Sequence, residues 1–293
     1  MSARKKIAFI INPISGTSKK KDLPDLIKSK MDLEIWEQPD IVFTEHQGHA
    51  SELAKKFAEQ SYDVVVACGG DGTVNEVASG LIGSNTSLSI VPYGSGNGLA
   101  RHWGFSLKPK KAIEQICCGT RHPMDYGIVN GLKFFCTCGT GFDAHVSHVY
   151  AKDGHRGFIT YLKYILSEYR TYTPNDYQLE VNGEVINRKA FVITFANASQ
   201  YGNDGFIAPH ASTQDGVMDI CVMDSFPVTS VPVLAWQLLK KKLDRSSYTH
   251  YYRASEVTLK RSFEGEFHVD GEAVEMGKEI NVKIISNQLH IWI

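Results

Sequence analysis

A chain of 293 residues, 43% hydrophobic and 22% charged, is long enough to bury a sizeable core in one large domain or two modest ones. Its 31 Lys and Arg against 32 Asp and Glu leave a formal charge of -1, which excludes the strong basic excess of a general nucleic-acid binder. The first apolar run, Ile7 to Ile11, is too short for a signal-peptide core or a membrane span, and no later run is long enough either.

Lys6 to Ile11 reads as a buried parallel strand that Asn12-Pro13-Ile14-Ser15-Gly16 ends abruptly. The pattern predicts a helix over 23–30, a short strand over 41–44 and a helix over 49–60, with Ala50, Leu53, Ala54, Phe57 and Ala58 near one face. A second buried strand over 63–68 runs through Gly69-Gly70-Asp71-Gly72 into a helix over 73–81. A strand over 88–92 precedes Gly94-Ser95-Gly96-Asn97-Gly98, and a helix follows over 110–117. Strand and helix alternating at this spacing predict an α/β domain with its functional loops at the carboxyl ends of the strands.

Beyond Arg121-His122-Pro123 the rhythm changes to short strands: 125–129, 132–138, 177–181, 185–196, 217–223, 256–260 and 267–269. Asn130-Gly131 and Asn182-Gly183 between apolar stretches predict hairpin turns. A second, mostly antiparallel domain is therefore expected over 125–285, with helices over 157–169 and 231–243. The apolar end, Leu289 to Ile293, predicts an anchored strand over 286–293 that completes the α/β domain of residues 1–124. The six cysteines include no zinc-type C-x-x-C pair and read as reduced core thiols of a cytoplasmic protein. His102, His145, His148 and His155 form no standard zinc set.

Three loops follow successive strands. Asn12 to Gly16 supplies a rigid proline turn, a hydroxyl and a glycine. Gly69 to Thr73 lets backbone approach a ligand closely and presents amides at a helix start, where negative charge is favoured. Gly94 to Asn97 repeats that physics. Together they suit the phosphates of a nucleotide, although any one alone also fits a tight connection, and none matches the dinucleotide or Walker patterns. Asp71 is either a helix N-cap or a contact to magnesium and phosphate-bound water; Asn75 and Glu76 either touch ligand or cap the helix. In the second half, Asp270-Gly271-Glu272 is a hairpin tip or an acid pair, and Asp215-Gly216 a turn or an oxygen-ligand loop.

These blocks resemble the diacylglycerol kinase catalytic-domain superfamily, which includes bacterial soluble lipid kinases, sphingosine kinases and ceramide kinases. The resemblance rests on Asn12 to Gly16, Thr44 with Gly48-His49-Ala50, Gly69 to Val77, Pro92 to Ala100 and Asp125-Tyr126-Gly127 with Asn130-Gly131. It continues through Gly139 to Asp143, Ala208-Pro209 with Asp215-Gly216, and Asp270-Gly271-Glu272, in family order over nearly the whole chain. It implies an α/β domain like those of NAD kinases and phosphofructokinases, a C-terminal antiparallel β-sandwich domain, and a nucleotide between them.

By the same resemblance, Asn12, Pro13, Ile14, Ser15, Gly16, Thr44, Gly70, Asp71, Gly72, Thr73, Val74, Asn75, Glu76 and Ser95 would contact ATP. Asp270 would be the general base on a lipid hydroxyl, with Glu272 assisting and Asp71 in the catalytic set. Asp215, with the carbonyls of Ser212 and Val217, would hold a structural Mg2+, and a second Mg2+ would accompany ATP near Asp71. The Pro92 to Ala100 loop is closer to the sphingosine-kinase version, and Asp125 lies where those enzymes carry an acid that binds substrate, so a sphingoid base stands beside diacylglycerol as acceptor.

The lipid partner implies transient contact with a membrane surface. Trp236, Leu238, Leu239 and Lys240 to Lys242 offer an amphipathic stretch for it, or an ordinary packed helix. Tyr161, Tyr164, Tyr169, Tyr172 and Tyr177 would line a lipid mouth or pack in a core. Nucleic acid is not an expected partner, and a homodimer is left open. The competing functions are a soluble-metabolite kinase related to NAD kinase and a nucleotide-sensing module without transfer.

Overall fold

In the computed structural model, residues 4–16, 20–153, 164 and 167–293 are described. Two units divide the chain, Met1–Met124 with Ser286–Ile293 and Asp125–Ile285.

The first unit grows from β1 (Ile7–Ile11), α1 (Leu23–Lys30), β2 (Asp40–Phe43), α2 (His49–Glu59), β3 (Val64–Gly69), α3 (Asp71–Leu81), β4 (Ser87–Pro92), α4 (Gly98–His102) and α5 (Pro109–Cys117). Every residue of β1, β3 and β4 is buried, as unbroken apolar runs require when helices cover both faces of a parallel sheet. The order is β2-β1-β3-β4, with the chain's last residues beyond β4. All pairings are parallel: Ile10 stands beside Val42 and Ala67, Cys68 beside Val91, and Ile291 beside Leu88. This register sets the loops after β1, β3 and β4 side by side. Asn12 N donates to Cys68 O (3.1 Å), Tyr93 N to Gly69 O (2.8 Å) and Thr44 N to Ile11 O (2.9 Å).

The chain end is tied into this sheet. Trp292 Nε1 donates to Ile116 O (2.8 Å), Ser89 Oγ donates to Trp292 O (2.7 Å), and the indole meets Trp36 edge-on at 5.6 Å. Behind the loops α2 crosses α3 closely: a Cβ on Gly80 would fall 2.4 Å from Ser51 O.

The second unit holds the remainder of β5 (Arg121–Val129), then β6 (Leu132–Phe134), β7 (Thr137–Gly141), α6 (Phe142–Asp153), β8 (Asn175–Val181), β9 (Glu184–Ala196) and β10 (Met218–Asp224). After α7 (Val231–Leu239) come β11 (Thr249–Ala254), β12 (Glu256–Arg261), β13 (Gly265–Val269), β14 (Glu272–Met276) and β15 (Glu279–Trp292), whose last residues enter the first unit. Antiparallel pairing runs β14-β13-β7-β9-β8-β12-β15, with β10 between β9 and β11. Phe134, Phe195, Phe267, Leu259, Ile220 and Ile280 are core residues of one face. Three two-residue turns, Asn130-Gly131, Asn182-Gly183 and Asp270-Gly271, have positive φ at both positions, the geometry that matches the twist of a tight hairpin.

Several expectations shift. The helix after Gly70 begins at Asp71, two residues early, with Gly70 as its N-cap. The run over 132–138 breaks between Phe134 and Thr137 because the amides of Phe135, Cys136 and Thr137 turn to the Asp270 carboxylate. The helix over 231–243 stops at Leu239, with Lys241 in the left-handed region at φ 56°. Helices α4 and α6 were not predicted: α4 is a single turn, and α6 carries histidines and serine where an apolar stripe would be the sequence signal. The helix expected over 157–169 lies outside the described residues save for Tyr164 and residues 167–169, as do His155 and Tyr161.

Candidate active site

In the first unit the three loops form one cluster because glycine permits it. Gly16 has φ +70°, and a Cβ there would overlap Tyr93 O at 1.9 Å. Gly70 and Gly94 meet backbone to backbone: a Cβ on Gly94 would lie 2.7 Å from Gly70 Cα, and one on Gly70 would lie 3.2 Å from Gly94 Cα. Side chains extend these contacts. Asn12 Oδ1 accepts from Ile14 N (3.1 Å) and its Nδ2 donates to Thr73 Oγ1 (3.1 Å), joining the first loop to the start of α3. Asn97, buried with φ +52°, closes its own loop by accepting from Gly94 N (2.8 Å) and donating to Gly94 O (2.7 Å).

Asp71 joins two loops through its carboxylate, which accepts from Asn97 N (2.9 Å) and Gly98 N (2.8 Å). A negative group at the first turn of its own helix thus also meets the amides at the start of α4, which have no partner within that helix, both favourable placements. Glu76 works in the same way one turn on, accepting from Gly48 N (2.9 Å) and Ala50 N (3.1 Å) at the start of α2. It caps a neighbouring helix rather than its own. Among the remaining candidates, Thr73 and Val74 are buried, Gly72, Ser95, Pro13 and Ile14 are exposed, and Asn75 Oδ1 accepts from Ser79 Oγ at 3.5 Å.

Lys20 joins this cluster without any warning from sequence, where it sits in the run Lys19-Lys20-Lys21 and reads as solvated. It is only 5% exposed. Its ammonium donates to Asn12 O, Ser15 O and Ser15 Oγ and stands 4.9 Å from the Tyr93 ring centre. Burial lowers it from 10.5 to about 8, since removing a charge from water penalises the protonated form.

In the second unit Asp270, at the left-handed first position of its hairpin turn, accepts from Phe135 N (2.9 Å), Cys136 N (2.8 Å) and Thr137 N (3.1 Å). Glu272 is exposed at the start of β14. Two residues before Asp270, on β13, buried His268 places Nε2 3.0 Å from Asp143 Oδ2, which also accepts from Tyr201 OH (2.7 Å). His268 and Tyr201 escaped sequence reasoning because the contact depends on β13 lying beside β7.

Asp125 is 3% exposed and tied to the loop over 212–217. Its Oδ2 accepts from Gly216 N (2.7 Å), and its own N donates to Thr213 O (2.6 Å). Asp215 accepts from Val217 N (3.3 Å) and is ion-paired with Arg253; Ser212 Oγ accepts from Gln214 N (3.2 Å). The Arg253 guanidinium thus neutralises Asp215 in this arrangement. Among the described residues no group of three or more His, Cys, Asp or Glu is set to hold a metal. Tyr169 and Tyr172 pack against Phe142 and Phe191, and Tyr177 belongs to the main core.

The diacylglycerol kinase catalytic domain matches residues 6–129, and the YegS C-terminal NAD kinase beta sandwich-like domain matches residues 136–291. The chain belongs to the diacylglycerol kinase catalytic-domain superfamily. Its α/β first unit and antiparallel second unit are the two domains of that superfamily. A diacylglycerol kinase of Bacillus subtilis (strain 168) is 26% identical over 278 residues, 92% of this chain and 90% of the relative. One from Mycobacterium tuberculosis is 33% identical over 171 residues, 56% and 55% of the two chains. The solved structure of a diacylglycerol kinase from Bacillus anthracis str. Sterne shares the fold with TM-score 0.77 at 20% identity, over 99% of this chain and 97% of that one. An NAD kinase from Archaeoglobus fulgidus, solved in complex with ATP, aligns with TM-score 0.51 at 14% identity over 98% and 92%.

The Asp71 contacts generate a direct test. Asp71→Ala removes the acceptor for two amides, at a cost of about 1–3 kcal/mol for hydrogen bonds to a charged group. Hydrogen exchange at Asn97 and Gly98 should accelerate while the β3 amides stay protected; unchanged exchange at both would show that the carboxylate does not hold the loop.

Proposed function

We propose that this chain is an ATP-dependent lipid kinase that transfers the γ-phosphoryl group to a lipid hydroxyl, that of a diacylglycerol or a sphingoid base. The observation that carries this reading is the cluster of three backbone-lined loops at the strand ends, with the buried Lys20 ammonium among them. Amides at the start of α3 and a cation that burial leaves short of counter-charge suit the anionic oxygens of a triphosphate. Membership of the superfamily and the names of the relatives, diacylglycerol kinases, favour a lipid over a soluble metabolite as acceptor.

In the proposed reaction the lipid hydroxyl oxygen attacks the γ-phosphorus, the bond from that phosphorus to the bridging oxygen breaks, ADP leaves, and Asp270 receives the hydroxyl proton. Phosphoryl transfer asks mainly for alignment and charge stabilisation. The amides of residues 135–137 hold the Asp270 carboxylate in one orientation, and Glu272 lies at the mouth of the same hairpin. Magnesium entering with ATP would spread the phosphate charge, with Asp71 as the carboxylate nearest in sequence to the loops; no step is assigned to the loop over 212–217. Asp125 is buried with its carboxylate on Gly216 N, and the names of the relatives, diacylglycerol kinases, put diacylglycerol ahead of a sphingoid base as acceptor. The reading implies a cytoplasmic enzyme in transient contact with a bilayer; among the described residues no helix is long and apolar enough to cross one.

Transfer from γ-labelled ATP to a panel of diacylglycerol, phosphatidylglycerol and sphingoid bases tests it. Labelled lipid is expected, with diacylglycerol foremost; label only in a water-soluble alcohol, or none with any acceptor, would overturn it.

The pH dependence of binding provides a second test. Because the folded value of Lys20 is depressed, the cost of its buried charge is full below about 8 and relaxes as pH rises towards 10.5, so the empty protein gains stability across that window. A bound triphosphate favours the protonated ammonium, so ATP affinity should fall above about pH 8, by up to roughly tenfold per pH unit for one linked proton. Lys20→Met should weaken binding and flatten the profile. Calorimetric titration showing the same affinity at pH 7 and pH 9.5 in the native chain would contradict this role.

A further inference from the structure

We infer that the segment Phe226–Leu243 of the second unit docks on an anionic lipid surface; this rests on the lipid-kinase reading and assigns its membrane-facing surface. Leu234 of α7 is buried, while Val233, Trp236 and Leu239 are 57%, 50% and 54% exposed, with Val228 before the helix at 60%. Positions 233, 236 and 239 recur every three residues and so share one helical face, opposite Leu234. Four large apolar side chains turned to solvent over so short a stretch form a patch of the kind that marks an interaction surface.

Charge supplies the identity of the partner. From Ser225 to Leu243 the sequence carries Lys240, Lys241 and Lys242 and no acidic residue. The lysines cluster where α7 ends. Lys242 lies over the Trp236 ring at 5.0 Å, so one cation sits against the apolar patch itself, and Lys241, next to it in the chain, lies over the buried Phe206 ring at 4.3 Å. Trp at the headgroup level, aliphatic side chains below it and lysines on the phosphates is the arrangement that an amphipathic interfacial helix adopts. A second copy of this face would oppose lysine to lysine, which disfavours self-association through it.

Co-sedimentation of the full chain with vesicles of phosphatidylcholine, alone or in equimolar mixture with phosphatidylglycerol, tests the inference. Binding is expected on the anionic vesicles and should weaken with salt. Lys240→Gln, Lys241→Gln and Lys242→Gln together should lower the partition coefficient about tenfold or more. Trp236→Ser with Leu239→Ser should lower it in either vesicle. Both variants should match the native chain in transfer to a dispersed short-chain acceptor. Unchanged vesicle binding by both variants overturns the surface, whatever the kinase does. A concentration-dependent dimer that the Trp236 and Leu239 changes dissolve, without loss of vesicle binding, assigns the face to self-association and also overturns it. Native chain that phosphorylates no lipid at all removes the lipid-kinase reading instead.

Discussion

The carboxylate that accepts backbone amides from another segment is the interaction on which both units rely. Asp71 takes the amides of Asn97 and Gly98, Glu76 those of Gly48 and Ala50, Asp270 those of Phe135, Cys136 and Thr137, and Asp125 that of Gly216. Charge-assisted hydrogen bonds of this kind are shorter and stronger than neutral ones. They fix loops that glycine would otherwise leave loose. A loop rich in glycine can approach a ligand closely only if something else restrains it. In the first unit that restraint is Asp71 and Asn97, with Glu76 anchoring α2 behind them.

The same constraint orders the chemistry. A general base for phosphoryl transfer gains from being held in one orientation before the substrate arrives. Asp270 is held by the strand break between β6 and β7, so the irregularity in that part of the sheet and the orientation of the acid have one cause. The buried His268 and the more exposed Tyr201 converge on Asp143 beside it. In the first unit the opposite economy holds for Lys20, a buried cation facing carbonyl and hydroxyl oxygens rather than a carboxylate, and an arriving triphosphate would supply the missing negative charge.

Much of the architecture was legible because it depends on local pattern. Ile7–Ile11 and Val64–Gly69 are unbroken apolar runs and became buried parallel strands; Asn130-Gly131 and Asn182-Gly183 became tight hairpins. What sequence concealed depends on partners far away in the chain. Nothing in Phe134 to Thr137 announces a break, since the cause is an aspartate more than a hundred residues on. Lys20 is indistinguishable from its lysine neighbours until Tyr93 and Ser15 are placed around it. Asp71 and Glu76 were legible as polar groups near a helix start, but their amide partners belong to the loop after β4 and to α2. The exposed face of α7 was equally ambiguous, because the same spacing serves a packed helix.

The most direct measurement separates binding from transfer in one substitution. Asp270→Asn keeps the shape of the side chain and removes the proposed proton acceptor, while the loops proposed to bind ATP belong to the other unit. Calorimetry should give ATP affinity within about twofold of the native chain, and phosphoryl transfer to diacylglycerol should fall by about 10²–10⁴-fold, the usual worth of a general base. Turnover close to native, with ATP binding intact, would contradict the account.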